Sequence, residues 1–354
     1  VFINNTWLGE GVYKDILDEL DHKPTLKINI SDSNQSFTPL LTGNINWVAS
    51  PKALHFWHLF VRLPKTNHVF EWDEMVYTND VARLSKDIEV IISLRAEQFI
   101  DKEVIDGNVL FNLLDKENYI TRATDGKMTL PAFNLPYYEG LNRHNNKYWL
   151  GVYRRNEMFS FSFLKALCQL CLITKVGQLC STPWKSIIIK GIEEKDKQRW
   201  SDLLDEHEIN MRHAANELNF QVQDNDPAAR ALKNHLVKKL NISDARTFGI
   251  CIGIKTKSKS EIFSSILIRR KPLIRLFGKD LFHVYDILCA KDFNPNERTG
   301  SVFISNITKV YLASELQKCV LWFYKKRNEE VASVAPVAEP RKKDKVMKVA
   351  SVYQ

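Results

Sequence analysis

The sequence contains little glycine and proline, with 13 and 12 residues of each among 354. Disordered chains and linkers are usually rich in these residues, so most of this chain is predicted to be folded. Uninterrupted apolar runs are also short, and none reaches the roughly 18 residues that a membrane-spanning helix needs. Because 44% of the residues are hydrophobic, a sizeable core is available. The sequence therefore predicts a soluble globular protein without a membrane segment, divided into two or three domains.

Several catalytic motifs are also missing. The sequence has no G-x-x-x-x-G-K-[ST] phosphate loop and no H-E-x-x-H zinc motif. His55 and His58 are three positions apart in a strand-like run, which predicts that they face opposite sides of a sheet. His207 and His213 are separated by a predicted helix end. No metal is therefore assigned to any of these histidines.

The sequence has few cysteines, and most of them lie in apolar runs such as KALCQLCLI. Reduced, buried cysteines in cytosolic proteins have this pattern, so a cytoplasmic location is predicted. Cys168 and Cys171 form a C-x2-C pair inside a predicted helix, without the second pair that a four-ligand metal site needs. We interpret both as core thiols. No signal peptide is visible, and because the first residue is Val1 rather than methionine, we expect an N-terminal truncation.

The charged residues give a formal net charge of +8. A mild positive excess suits an anionic ligand or partner. Much of the excess lies in the C-terminal run Arg341-Lys342-Lys343, with Lys345 and Lys348. Such a run is usually a solvated tail, so nucleic-acid binding is not favoured.

The first third of the chain is predicted to contain a helix, four strands and a second helix, in that order. In PTLKINISD, Leu26, Ile28 and Ile30 alternate with polar residues, which predicts a half-buried strand. The segments GNINWVAS, HFWHLFVRL and HVFEWDEMVY predict three further strands, and TNDVARLSKDIEVIISL predicts an amphipathic helix. We predict a first lobe over residues 1–100, followed by a connection rich in glycine and proline over residues 101–147.

The remaining chain divides into a middle unit, a second lobe and a tail. Residues 148–220 have the order strand–helix–strand–strand–helix, which fits half of a ferredoxin-like sandwich. Residues 221–327 repeat the strand order of the first third and end in the helix LASELQKCVLWFYKK. We therefore predict an α+β fold in which duplicated α/β lobes, with mixed or antiparallel sheets, flank a ferredoxin-like half-domain. Residues 328–354 are predicted to be a charged linker rich in alanine and proline.

The middle unit carries a resemblance to a known family. The segment YWLGVYRRNEMFSFSFLKALCQLCLITKVGQLCSTPWKSIIIKGI resembles the ferredoxin-like half-domain of the sulfite and nitrite reductase superfamily, which includes siroheme-dependent reductases and precorrin-3B synthase. In that family, a strand of the type Arg-x-Thr-x-Trp/Arg-Gln directs basic and polar groups towards the carboxylates of a tetrapyrrole. The corresponding stretch here is STPWKS. The family is itself a duplication, in which half-domains alternate with larger α/β units that bind siroheme and an iron–sulfur cluster.

The sequence departs from this family at specific positions. Cys180 stands where arginine is usual, and Lys185 stands where arginine or glutamine is usual. The reductases hold their cluster through C-x5-C and C-x3-C pairs, which are missing here, so no four-iron cluster is expected in the 354 residues. The resemblance still implies a siroheme, whose carboxylates would accept charge-assisted hydrogen bonds. The candidate cofactor-binding residues are Lys185, Lys190, Arg269 and Arg270.

Two alternatives stay open at this point. Arg269 to Lys271 would also be explained as solvated charges at the end of a strand. The last residues, Tyr353-Gln354, resemble the start of the Tyr-x-Cys-x-x-Cys motif of rubredoxin-like domains, which some members of the family carry after a charged linker. A rubredoxin iron is therefore implied only if the chain continues past Gln354. A frayed C-terminus explains the same residues equally well.

The leading functional hypothesis is a redox or electron-transfer protein related to nitrite and sulfite reductases. If it is catalytic, the resemblance implies multi-electron reduction of a small oxyanion at siroheme, with electrons from a redox partner protein. No catalytic residue is assigned. The alternative is a non-catalytic scaffold that binds an anionic ligand or a protein partner, because a fold does not dictate a function.

Overall fold

The structure is a computed structural model that describes residues 7–66, 68–100, 106–223, 225–257, 263–276, 279–297 and 300–334. These residues form three β-sheets in chain order, and helices pack against each sheet. Within these ranges, every helix is too short or too polar to span a bilayer. The predicted linker beyond residue 334 and the Tyr353-Gln354 end lie outside the described residues.

The first sheet has the strand order β1-β2-β3-β4-β5, in which β1 and β2 are parallel and the other neighbours are antiparallel. Trp47, Trp57 and Leu59 alternate with residues of the opposite face and pack against Leu84 and Ile88. The elements are α1 (Glu10–Glu19), β1 (Ile28–Asp32), β2 (Ile45–Ala49), β3 (Phe56–Arg62), β4 (Val69–Tyr77), α2 (Val81–Leu94), α3 (Ala96–Phe99), α4 (Asn108–Phe111) and β5 (Thr121–Ala123).

The middle sheet is antiparallel, and its strand order is β6-β7-β9-β8. Its elements are β6 (Gly140–His144), β7 (Lys147–Tyr153), α5 (Phe161–Thr174), β8 (Gln178–Ser181), β9 (Ser186–Ile192), α6 (Lys197–Glu206) and α7 (Ala215–Leu218). Both β5 and β6 come from residues 101–147, which were predicted to be a connection. β6 pairs with β7 through a two-residue turn in which Asn145 has φ 54°. Asparagine tolerates this left-handed conformation, so the turn signal was present in the sequence.

The sheet of the second lobe has the order β10-β11-β12-β13-β14, with the first three strands parallel and the rest antiparallel. Its elements are β10 (Phe220–Val222), α8 (Pro227–Ile242), β11 (Ile252–Lys255), β12 (Ile266–Leu276), β13 (Lys279–Ala290), β14 (Gly300–Ile307) and α9 (Lys309–Val334). Helix α8 was not predicted. Helix α9 continues to Val334, so the predicted start of the linker at Asn328 is wrong. The segment from Asn328 contains glutamate and alanine, which favour helix.

The two lobes repeat one arrangement. The series α1-β1-β2-β3-β4-α2 and α8-β11-β12-β13-β14-α9 have the same element order and the same parallel, antiparallel, antiparallel pairing. The predicted fold class, duplicated α/β lobes around a ferredoxin-like half-domain, is therefore confirmed.

Candidate functional site at the junction of the sheets

The turn between β8 and β9 is the part of the middle unit that carries the family resemblance. Thr182 organises this turn. Its backbone N–H donates to the carbonyl of Ser186 (3.0 Å), and its carbonyl accepts from the N–H of Lys185 (3.1 Å). Its Oγ1 accepts from the N–H groups of Trp184 and Ser186, both at 3.2 Å. Lys185 has φ 57°, so the chain reverses there and Trp184 is held in one place.

Trp184 joins the three parts of the molecule. Its side chain is 1% exposed, and its Nε1–H donates to the carbonyl oxygen of Phe37 at 3.0 Å. Its ring stacks on Tyr138, at 6.3 Å between centroids, and meets Phe263 edge-on at 5.9 Å. Phe37 follows β1 of the first lobe, Tyr138 precedes the middle sheet, and Phe263 precedes β12 of the second lobe. The turn therefore anchors the middle sheet to both lobes.

The junction around Trp184 is closely packed. The other residues of this buried cluster are Leu135, Tyr153, Leu218 and Cys251, with Phe37 and Phe133 packed against it. Gly151 of β7 lets the preceding segment cross the sheet, because a Cβ there would lie 2.0 Å from the carbonyl oxygen of Tyr138. Aromatic side chains thus fill the space next to the turn.

The residues around this turn do not fit the tetrapyrrole that the resemblance implies. A siroheme needs several cations directed at its carboxylates, and the turn and its preceding strand supply Lys185, with Cys180 where the family has arginine. The indole of Trp184 occupies the adjoining interior. Siroheme therefore stays a prediction that the turn itself does not support.

The four predicted cofactor-binding residues do not form one set. Lys185 ends the turn, and Lys190 lies roughly 16 Å further along an extended strand. There it lines a cavity of about 370 Å³ with His144, Tyr148 and Trp149. Arg269 and Arg270 are consecutive in β12, so their side chains point to opposite faces of the sheet. The structure therefore separates Lys185 from Lys190 along β9 and places Arg269 and Arg270 on opposite faces of β12.

Arg269 is bound to a buried carboxylate of its own sheet. Its guanidinium donates two hydrogen bonds to Asp286 Oδ2, at 2.7 and 3.1 Å, and Lys271 Nζ lies 2.8 Å from the same oxygen. The N–H of Asn306 donates to Oδ1 at 3.1 Å. Burial raises the pKa of Asp286, but the hydrogen bonds from Lys271, Arg269 and Asn306 outweigh it and lower the pKa below its usual range. These cations therefore have a structural role in the second lobe.

Replacing Asp286 with asparagine is expected to destabilise the protein by about 1–3 kcal/mol at neutral pH, because hydrogen bonds to charged partners are lost. A lowered folded-state pKa gives stability that is present above the unfolded pKa and is lost as the pH falls through the folded one. Urea unfolding from pH 7 downwards should therefore show the wild type and Asp286→Asn converging in acid. A gap that stays constant with pH would contradict this assignment. Asp292→Asn, at an exposed ion pair with Lys326, is the control.

A buried charged network lies beside the junction and was not predicted. Lys233 of α8 is 2% exposed, and its Nζ donates to Tyr153 Oη at 2.8 Å and to the carboxylate of Glu157. Burial lowers the pKa of Lys233, and Glu157 opposes that shift. Burial is the main cause of a raised pKa at Tyr153, and the charge of Glu157 raises this pKa further, so the phenol is neutral. The pair thus holds exchangeable protons in the interior.

Two further hydrogen-bonded pairs extend this network. The buried carboxylate of Glu139 accepts from His213, through Nδ1 and through the backbone N–H at 3.0 Å. The ring of His213 meets Tyr153 edge-on, with centroids 5.1 Å apart. Arg155 donates two hydrogen bonds to Glu217, at 2.8 and 3.1 Å. Among the described residues, no group of three or more histidine, cysteine, aspartate or glutamate side chains is arranged to hold a metal ion.

The observed burial of the cysteines agrees only in part with the prediction. All six are free thiols, and Cys171 is buried as predicted, but Cys168 and Cys180 are exposed. Cys168 is one residue off the buried stripe of α5, which Phe163, Leu167 and Cys171 form at helical spacing. The interpretation of Cys168 as a core thiol was therefore wrong.

Comparison with solved structures shows a similarity of fold. The chain is similar to the Mycobacterium tuberculosis NirA protein with a TM-score of 0.62, over 84% of this chain and 59% of that chain, at 14% sequence identity. The chain thus spans less than two thirds of the length of NirA. No protein-family model matches the sequence, and no curated protein matches it. At this identity the similarity concerns the fold alone: the chain has an α+β fold related to that of NirA.

Proposed function

We propose that the chain is a redox or electron-transfer protein related to the nitrite and sulfite reductases. The observation that carries the proposal is the fold, in which two lobes of the same construction flank a four-stranded sheet. This fold is similar to that of NirA over 84% of the chain. The resemblance of the STPWKS turn to the tetrapyrrole-facing strand of that family adds to it. Because a fold can host several functions, the chemistry needs its own test.

The proposal includes a small oxyanion as substrate and a redox partner protein as electron source, and it takes siroheme from the sequence resemblance alone. Lys185, Lys190, Arg269 and Arg270 remain candidates as single residues rather than as one binding set.

The visible absorption spectrum of the purified chain, expressed with a supply of siroheme and iron, tests this proposal. We expect visible absorbance that stays with the protein through gel filtration and changes on chemical reduction. Metal analysis of the same fractions should give iron in proportion to the absorbance. A colourless, folded protein that takes up neither siroheme nor iron would contradict the redox proposal.

The second candidate is a non-catalytic scaffold that binds an anionic ligand or a protein partner. The filled junction favours it, because Trp184, Tyr138 and Phe263 occupy the space next to the turn. This candidate predicts a colourless protein of unchanged fold that nevertheless binds an anion. Binding measurements on the colourless protein therefore separate the two proposals.

A further inference from the structure

A cavity of about 510 Å³ lies between β7 of the middle sheet and α8 of the second lobe. Its volume is within the range of small-molecule sites, and interfaces between structural units are common places for such sites. One wall comes from the middle unit and α7, and the other comes from one face of α8. The lining residues are Tyr153, Arg155, Glu217, Lys233, Asn234, Val237, Lys238, Asn241 and Ile242.

Two buried donors at this cavity have hydrogen-bonding capacity to spare. The ammonium group of Lys233 has three N–H donors, and the described residues accept two of them, through Tyr153 and Glu157. The hydroxyl of Tyr153 accepts from Lys233, and its own proton has no acceptor among the described residues. Both side chains are almost completely buried. Because buried donors normally find acceptors, an acceptor within the cavity is expected.

The charges around the cavity leave one positive charge uncompensated. Arg155 is paired with Glu217, and Lys233 is paired with Glu157. Lys238, which lines the cavity from α8, forms no ion pair within the described part of the chain. Val237 and Ile242 add an apolar surface to the same wall. The complementary ligand is a monoanion with acceptor oxygens and a short apolar body.

We propose that this cavity binds a small organic carboxylate. The carboxylate oxygens accept the remaining donors of Tyr153 and Lys233, and Lys238 balances the charge. The apolar body of the ligand lies against Val237 and Ile242. This site needs neither siroheme nor an electron donor, so the inference does not depend on the proposed redox function.

Titration of the full chain with hexanoate, followed by calorimetry or protein NMR, tests the site. We expect hexanoate to bind at least tenfold more tightly than hexanamide, which has nearly the same shape but no charge. Lys238→Gln should weaken hexanoate binding about tenfold, which corresponds to about 1.4 kcal/mol. Lys239→Gln is the matched control, because Lys239 is exposed on the same helix but does not line the cavity. The Lys239→Gln variant should bind hexanoate with the same affinity as the wild type.

Three results would overturn the inference: equal binding of hexanoate and hexanamide, wild-type affinity in Lys238→Gln, or tighter binding of sulfate than of hexanoate. Tyr153→Phe gives a second test, because it removes one donor and should also weaken hexanoate relative to the wild type. A colourless protein that binds hexanoate supports the inference while contradicting the redox proposal. A coloured protein that does not bind hexanoate would contradict the inference while supporting the redox proposal.

Discussion

Trp184→Ala is expected to destabilise the protein by about 3–5 kcal/mol, the usual range when a buried aromatic side chain is truncated to alanine. The indole is 1% exposed and contacts Phe37, Tyr138 and Phe263, which belong to different parts of the molecule. The substitution leaves a cavity between units that the surrounding backbone cannot easily close. Chemical unfolding followed by far-UV circular dichroism measures the loss.

Two variants show whether the junction itself is responsible for this loss. Trp184→Phe keeps an aromatic ring but loses the hydrogen bond from Nε1 to the carbonyl of Phe37, and should cost about 1–2 kcal/mol. Trp322→Ala removes a tryptophan that is 40% exposed on α9, so its effect should be clearly smaller than that of Trp184→Ala. If Trp184→Ala were no more destabilising than Trp322→Ala, Trp184 would not anchor the lobes.

Limited proteolysis gives an independent measure of the same effect. If Trp184 holds the lobes against the middle sheet, its loss should expose the segment that crosses the sheet at Tyr138. We expect faster cleavage near this segment in Trp184→Ala, while Trp322→Ala is cleaved at the wild-type rate. Equal cleavage of both variants would mean that other contacts hold the units together.

Much of the element order was predictable because it depends on local patterns. The alternation of Leu26, Ile28 and Ile30 indicated a strand, and the structure places β1 at Ile28–Asp32. Helix α8 was missed, although its start was readable. Asp226 caps it by accepting a hydrogen bond from the N–H of Ala229 (3.0 Å), and Pro227 is its first residue.

The site was less predictable because its contacts join distant parts of the chain. Trp184 and Phe37 are 147 positions apart, and no local pattern indicates their hydrogen bond. Lys233 did leave a signal, since Ala229, Leu232 and Leu236 form an apolar stripe with a lysine beside it. Its partners Tyr153 and Glu157 come from another unit, and periodicity within α8 cannot identify them. The pattern of α8 could therefore have indicated a buried lysine, but not its network.

Lys233→Met is the second substitution with a large expected effect. Removing one partner of a buried ion pair typically costs about 3–5 kcal/mol, because the other charge stays buried without compensation. Here Glu157 would lose its ammonium partner, and Tyr153 would lose its donor. Unfolding in urea at pH 7 measures the loss. Lys239→Met, at an exposed position on the same helix, should change stability by less than about 0.5 kcal/mol.

The pH dependence of this difference reports the titration of Lys233 itself. The pKa of Lys233 is lowered in the folded state, mainly by burial, from an unfolded value near 10.4. Between those two pKa values the unfolded chain binds more protons, so the wild type gains stability as the pH rises. Lys233→Met lacks this titration, and the difference between the two proteins should therefore widen in alkali. The double variant Lys233→Met/Glu157→Leu completes the argument, because it removes both charges and should recover most of the stability lost in Lys233→Met. If the double variant were as unstable as the single one, the loss would come from packing around α8 rather than from an unpaired carboxylate.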